Sequence, residues 1–104
     1  MEIILNNIKY QIHDSGLEAY VVANNYKGDV IIPPYIQHER KRIAVKGIAF
    51  GAFKECRELT EITIPESVTE IEEYAFFGCR ALKNVILPST LKTIGKSAFL
   101  SCGR

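Results

Sequence analysis

Apolar residues recur along most of this chain at a fixed spacing of 23 positions. Five positions keep their character over three successive segments: Val45, Val68 and Leu91; Ile48, Ile71 and Ile94; Ala52, Ala75 and Ala98; Phe53, Phe76 and Phe99; Cys56, Cys79 and Cys102. A fixed period of this length is typical of a solenoid, in which each copy forms one coil. The apolar side of one coil is buried only when the next coil stacks on it. The sequence therefore predicts stacked coils with inward ladders of aliphatic, aromatic and cysteine side chains.

The hydrophobic pattern changes twice within a single coil. Residues 59–64 fit a short strand with an apolar inward side, and Pro65 ends it because proline has no backbone N–H to donate. Residues 67–71 read as a polar turn. Residues 72–79 are too few for a free-standing helix, so one turn of α- or 3₁₀-helix held down by Phe76 is expected there. These elements predict an α/β solenoid, a short right-handed coil with parallel strands and short helical segments.

The same period divides the chain into a front segment and three repeats. The expected divisions are an N-terminal β-hairpin cap at residues 1–27, an irregular first repeat at 28–58 with an inserted hairpin at 35–43, and regular repeats at 59–81 and 82–104, the last of them incomplete. The front segment alternates apolar and polar residues on both sides of a turn signal at Asp14-Ser15-Gly16, which favours a hairpin. A terminal segment of different character is expected because one side of it faces solvent.

One repeat carries a specific family resemblance. The unit Ile64-Pro65-x-Ser67-Val68-x-x-Ile71-x-x-x-Ala75-Phe76-x-x-Cys79-x-x-Leu82 resembles the leucine-rich repeat of the BspA-like, or Treponema-type, class, which is found on bacterial surface proteins and some protozoan ones. The resemblance is closest over residues 28–102 and extends more loosely to the first hairpin. It implies a curved coil whose sheet face binds protein or extracellular-matrix partners without catalysis, and a secreted or cell-surface location.

Composition and charge restrict the partners. A net charge of +1 gives no general attraction to nucleic acid or to acidic membranes. The densest charge run, residues 38–42, is expected to be a solvated hairpin tip. No apolar run approaches the roughly 20 residues that cross a bilayer, so no membrane insertion is expected. Residues 1–7 do not resemble a signal peptide, so the chain would be cytoplasmic if it is native and complete.

Candidate chemistry is sparse. The residues His13, Asp14 and Ser15 include the types of a hydrolase triad, but consecutive residues cannot aim at one another in those roles. The three cysteines share one phase and are expected to form a buried ladder of thiols, with a disulfide or a metal site as the alternatives. The sequence predicts no enzyme, no cofactor and no metal.

Strand side chains that point away from the core define the candidate binding site. Matching the copies gives two columns, one acidic and polar, one partly apolar: Asp29, Glu61 and Asn84; then Ile31, Thr63 and Ile86. Exposed apolar residues beside acidic ones are typical of a recognition surface. These six residues are predicted to bind a protein partner on the concave face. The alternative is that Ile31 and Ile86 serve strand propensity alone.

The last coil suggests a second function. After Cys102 a further strand is due by the period, but the chain stops at Arg104. The last strand would then lie at an open sheet edge, and exposed edges recruit other chains. The alternative function is therefore structural, either as a fragment of a longer solenoid or as a homodimer joined end to end through this C-terminal edge.

Overall fold

The computed structural model describes residues 1–102, which form ten β-strands. They are β1 (Glu2–Leu5), β2 (Ile8–Ile12), β3 (Glu18–Val21), β4 (Lys27–Ile31), β5 (Tyr35–His38), β6 (Lys41–Ile48), β7 (Glu58–Thr63), β8 (Glu70–Ile71), β9 (Asn84–Ile86) and β10 (Thr93–Ile94). The last two positions of the predicted repeat 82–104 lie outside the described residues.

The strands form two sheets, and each coil contributes one strand to the small sheet and another to the large sheet. The small sheet has the order β4-β7-β9 and is parallel throughout. The large sheet has the order β1-β2-β3-β6-β8-β10, with β5 paired to β6. Its strands β6, β8 and β10 are also parallel. The stretch at 67–71, for which the pattern predicts a polar turn, ends in the two-residue strand β8, because Glu70 and Ile71 pair with both neighbouring coils.

The aromatic ladder is confirmed. The rings of Phe53 and Phe76 stack with centroids 4.8 Å apart, and those of Phe76 and Phe99 lie 5.0 Å apart at only 3° between planes. Tyr26 extends the column at the front, 4.3 Å from Phe53. Phe53 and Phe76 are fully buried, as are Val45, Val68, Ile48 and Ile71, whereas Ile94 of the last coil is 49% exposed. Positions of equal phase therefore occupy equivalent places in the stack.

The predicted helical segments are wrong: residues 1–102 contain no helix. Residues 72–79 and their equivalents form consecutive turns instead. Two positions in each coil take left-handed backbone angles: Gly51, Tyr74 and Ser97; then Glu55, Gly78 and Ser101. A left-handed residue interrupts a right-handed helix. In addition, alternate N–H groups donate to the next coil, such as Phe76 to the Ala98 carbonyl at 2.7 Å, so they cannot close helical bonds.

The front segment contains three strands, where the sequence predicted two. Asn6 and Asn7 both have positive φ and form the tight turn that joins β1 to β2. The strands β1, β2 and β3 pair antiparallel, and β3 then pairs parallel to β6, so the large sheet continues past the first coil. The alternation in β2 buries Ile8, Tyr10 and Ile12. This arrangement gives the front coil an apolar cover.

Tyr26 joins parts of the front segment to one another, and Tyr20 attaches that segment to the coils. The Tyr26 hydroxyl donates to the Val22 carbonyl at 2.7 Å and accepts the Lys9 N–H at 3.1 Å. The Tyr20 ring lies over Gly47, where an added Cβ would be 2.4 Å from the ring, and its hydroxyl donates to the Glu70 carboxylate. Only glycine at position 47 leaves space for this close approach.

The irregular first coil carries a protruding hairpin. Strands β5 and β6 pair antiparallel from Tyr35 with Ala44 to His38 with Lys41, and the turn residues Glu39 and Arg40 have positive φ. The Arg42 guanidinium carbon lies 4.0 Å from the centroid of the Tyr35 ring. The charged tip is thus exposed, while Ile36 and Ile43 anchor its base in the core.

Candidate partner-binding face

The six predicted binding residues lie in two rows across the small sheet. Strand register places Asp29 beside Glu61 and Glu61 beside Asn84. The same register places Ile31 beside Thr63 and Thr63 beside Ile86. The outward surface of this sheet, formed by these two rows, is called the β4–β7–β9 face below.

Alternation along the strands decides which side chains reach this face. The intervening residue Ile62 is fully buried, whereas Ile31 is 72% exposed and Ile86 is 51% exposed. Successive side chains of a strand point to opposite sides of the sheet, so the row residues are directed away from the core. Two exposed isoleucines therefore flank the hydroxyl of Thr63 on one surface.

A register shift positions the acidic row. Gly28 pairs with Leu59, but Asp29 pairs with Glu61, so Thr60 is an extra residue in β7. Such a bulge re-aims the side chains beside it. The Thr60 hydroxyl donates to the Asp29 carboxylate at an Oγ1–Oδ1 distance of 2.9 Å. This bond orients the carboxylate at the first strand of the row.

The chemistry of the face suits recognition. The row of Asp29, Glu61 and Asn84 offers two carboxylates and an amide, while the second row offers apolar surface. Carboxylates accept hydrogen bonds and attract cations, and adjoining apolar side chains gain free energy when a partner covers them. Neither row pairs a nucleophile with a base.

The cap adds a wall that sequence reasoning missed. A cleft of about 540 Å³ runs between β4 and the β1–β2 turn, and its lining includes Ile4, Asn6, Tyr26 and Ile31. Ile4 is 59% exposed there. The 23-residue period could not identify Ile4 or Asn6 as lining residues, because both precede the repeats. They approach β4 only in the folded protein. The β4–β7–β9 face therefore borders a concave feature at its front end.

The cysteines are free thiols within a hydrogen-bonded ladder. The Cys79 thiol donates to the Phe53 carbonyl at 3.0 Å, and the Cys102 thiol donates to the Phe76 carbonyl at 3.1 Å. Each thiol thus bonds to the backbone of the preceding coil. Burial is the main cause that raises the pKa of Cys79 to about 12, and it also raises the pKa of Cys56 and Cys102. These thiols are poor nucleophiles because the thiolate is the reactive form.

The other candidate chemistry is not assembled in residues 1–102. The His13 ring stacks on Tyr20 with centroids 4.8 Å apart, and its carbonyl accepts the N–H of Gly16, which closes the turn. No group of three or more His, Cys, Asp or Glu side chains within the described chain is placed to hold a metal ion. Within the same residues, no helix has the length and apolar character to span a membrane.

Stacked parallel coils with these ladders define a leucine-rich-repeat protein. A family model for the BspA type leucine rich repeat region, in six copies, matches residues 43–104. The chain belongs to this BspA-type leucine-rich-repeat family. No curated protein sequence matches it significantly.

Solved structures of bacterial leucine-rich-repeat proteins share the fold. A leucine-rich-repeat protein of T. pallidum, TpLRR, aligns with a TM-score of 0.81 at 27% identity over 97% of this chain and 46% of its own. A leucine-rich cell surface protein of Faecalibacterium prausnitzii gives 0.84 at 27% identity over 97% of this chain and 28% of its own. The pneumococcal vaccine antigen PcpA gives 0.74 at 25% identity over 98% of this chain and 30% of its own. The chain spans less than half the length of each of these three proteins.

Proposed function

We propose that this chain is a non-catalytic protein-interaction module and that its β4–β7–β9 face binds a protein or extracellular-matrix partner. The observation that carries the proposal is the row of Ile31, Thr63 and Ile86, in which two isoleucines are more than half exposed. The architecture does not need isoleucine there, since Thr63 occupies the middle of the same row. Membership in a repeat family with surface-protein relatives supports the same function.

The apolar row would supply affinity and the acidic row selectivity. Burying one exposed isoleucine side chain contributes about 1.5–3 kcal/mol before the costs of association are subtracted. The carboxylates of Asp29 and Glu61 would favour a partner that presents donors or cations opposite them, and would disfavour an acidic one. A partner is therefore expected to combine an apolar strip with basic or amide groups.

A surface location for the parent protein is part of this proposal. One of the similar structures is described as a cell surface protein and another as a vaccine antigen. A module displayed outside the cell would meet host or matrix proteins, which fits the chemistry of the face.

Site-specific photo-crosslinking tests the face directly. A photoreactive phenylalanine analogue replaces Ile86 in one protein and Leu17 in another. Leu17 is a matched control because it is 60% exposed on the cap, away from the small sheet. A partner captured from position 86 but not from position 17 would support the proposal. Its affinity should then fall about tenfold or more for Ile86→Arg and stay unchanged for Leu17→Arg.

Two results would overturn the proposal. Equal capture from both positions would mean that the face has no preference over other exposed apolar sites. Capture of the same chain alone would favour the structural alternative, in which copies join end to end. The exposed apolar side chains of the last coil, such as Ile94 at 49% and Leu100 at 55%, are consistent with that alternative.

A further inference from the structure

Three aromatic side chains contact one another along the turn segments that connect the large sheet to the small sheet. The Phe50 and Tyr74 rings meet edge to face with centroids 5.7 Å apart, and Tyr74 and Phe77 meet in the same way at 5.5 Å. Phe50 is 59% exposed, and the other two rings are partly exposed. These three residues are called the aromatic ridge. They belong to two different coils and lie outside the β4–β7–β9 face.

The fold does not require apolar side chains at the ridge positions. By the 23-residue step, Phe50 is equivalent to Glu73 and Lys96, and Phe77 is equivalent to Lys54. Those equivalent positions carry charged side chains at Glu73, Lys96 and Lys54, whereas Leu100, the equivalent of Phe77 in the last coil, is an exposed apolar residue. An exposed aromatic cluster at positions that accept Lys or Glu is better explained by binding than by packing.

Tyr74 adds a cost that glycine would avoid. Its φ of 60° lies in the left-handed region, and the equivalent positions hold Gly51 and Ser97. A left-handed backbone costs an ordinary L-residue about 1–2 kcal/mol. The tyrosine places a ring between Phe50 and Phe77, and the ridge is continuous only because that ring is present.

Carboxylates border one side of the ridge. A shallow cleft of about 350 Å³ opens beside Phe50, with Glu70, Glu72 and Glu73 in its walls and no Lys or Arg in its lining. The Glu72 carboxylate accepts the Phe50 N–H at 2.9 Å, so it is held next to the aromatic residue. Glu70 is engaged by Tyr20, which leaves Glu73, an exposed side chain, available to a partner.

We propose that the aromatic ridge binds an extended basic segment of a partner protein, with an arginine seated over the rings and paired to Glu73. A guanidinium stacks on an aromatic face while it donates to a carboxylate, and the ridge offers both within one surface. The charge complementarity is local, since the three charged residues that line the cleft beside Phe50 are all glutamates. This surface is separate from the β4–β7–β9 face and does not depend on its function.

Nuclear magnetic resonance titration of the uniformly ¹⁵N-labelled chain tests the ridge. The probes are a synthetic arginine–glycine decapeptide and a glutamate–glycine decapeptide of equal length. The arginine peptide is expected to shift the amides of Phe50, Glu73 and Phe77 and to lose affinity as salt rises, because part of the attraction is Coulombic. The glutamate peptide is expected to shift none of them.

Matched variants separate the ridge from general electrostatics. Phe77→Lys, which copies the residue at position 54, should weaken arginine-peptide binding about fivefold or more. Leu17→Lys adds the same charge at a 60% exposed position of the front segment and should leave that affinity within about twofold. Glu73 is exposed, so Glu73→Gln leaves the core unchanged. This substitution should weaken binding of the arginine peptide about threefold.

Specific results would overturn the ridge proposal. Shifts confined to Asp29 and Glu61 would assign the peptide to the other face. Equal losses for Phe77→Lys and Leu17→Lys would show a response to net charge only. Equal binding of the two peptides would remove the role of the cation. Capture of a protein partner from position 86 is measured separately by photo-crosslinking and is not excluded by any of these results, so failure of this proposal and failure of the proposed function are distinguishable.

Discussion

The Phe76→Ala substitution tests the column on which the stack depends. Phe76 is fully buried, and its ring stacks on Phe53 at 4.8 Å and on Phe99 at 5.0 Å. Truncating a core phenylalanine costs about 3–5 kcal/mol, through lost burial and the cavity that remains. Two lost aromatic stacks place the expected cost near the upper end, at about 4–5 kcal/mol.

This loss is large compared with the total stability. A chain of 104 residues is expected to have about 5–15 kcal/mol of unfolding free energy, so the variant would keep a fraction of it or unfold. The loss should also be shared between neighbours, because each coil of a solenoid contacts only the next coils. Phe99 has one stacked partner and is only partly buried, so Phe99→Ala should cost about 2 kcal/mol.

Urea unfolding followed by far-ultraviolet circular dichroism measures these costs. The chain has no tryptophan, so fluorescence from that residue is not an option. Phe50→Ala is the control, since Phe50 is 59% exposed and should change stability by about 0.5 kcal/mol or less. The expected order of destabilisation is Phe76 first, then Phe99, then Phe50. A Phe76→Ala variant that loses no more than Phe99→Ala would refute the argument that the middle ring joins two coils.

Two further predictions concern titration and thiol chemistry. Cys102 should react with an aromatic disulfide reagent well before Cys79 near neutral pH, because Cys79 is fully buried and its pKa is raised to about 12; equal rates in the native protein would contradict the buried ladder. Burial raises the pKa of Tyr26 from 10.0 to about 12, so the folded state favours the neutral phenol. That stabilisation is complete below pH 10.0, the ordinary value, and is lost as pH rises toward about 12. Urea midpoints measured across this interval should fall steeply, and less steeply for Tyr26→Phe.

The interior of the repeats could be predicted well because it depends on phase alone. Phe53, Phe76 and Phe99 differ by one period, and stacked coils bring residues of equal phase together whatever their local conformation. The rows of the β4–β7–β9 face follow for the same reason. Aligning Asp29 with Glu61 across the inserted hairpin gives the observed pairing, although the preceding pair is shifted, with Gly28 opposite Leu59. Whether these rows bind a partner remains a prediction.

The local conformation of the turn segments was not predictable from the pattern. The spacing of Ala75, Phe76 and Cys79 is compatible with one helical turn, and that interpretation was wrong. The left-handed angle at Tyr74 is unexpected for a tyrosine, so the sequence gives no warning of it. Hydrogen bonds to the next coil favour the extended turns, and those bonds exist only after stacking.

The sequence alone determined which residues stack on one another in the core, such as Phe53, Phe76 and Phe99, because their spacing is a property of the chain itself. Tertiary structure alone decided the contacts between residues of unlike phase. Tyr20 reaches Gly47 and Glu70, Tyr26 heads the aromatic column, and Phe50 meets Tyr74 from a neighbouring coil. These contacts depend on how the front segment packs on the first coil and on the backbone path of the turns. Both are determined by packing and by long-range hydrogen bonds, which a local sequence pattern does not contain.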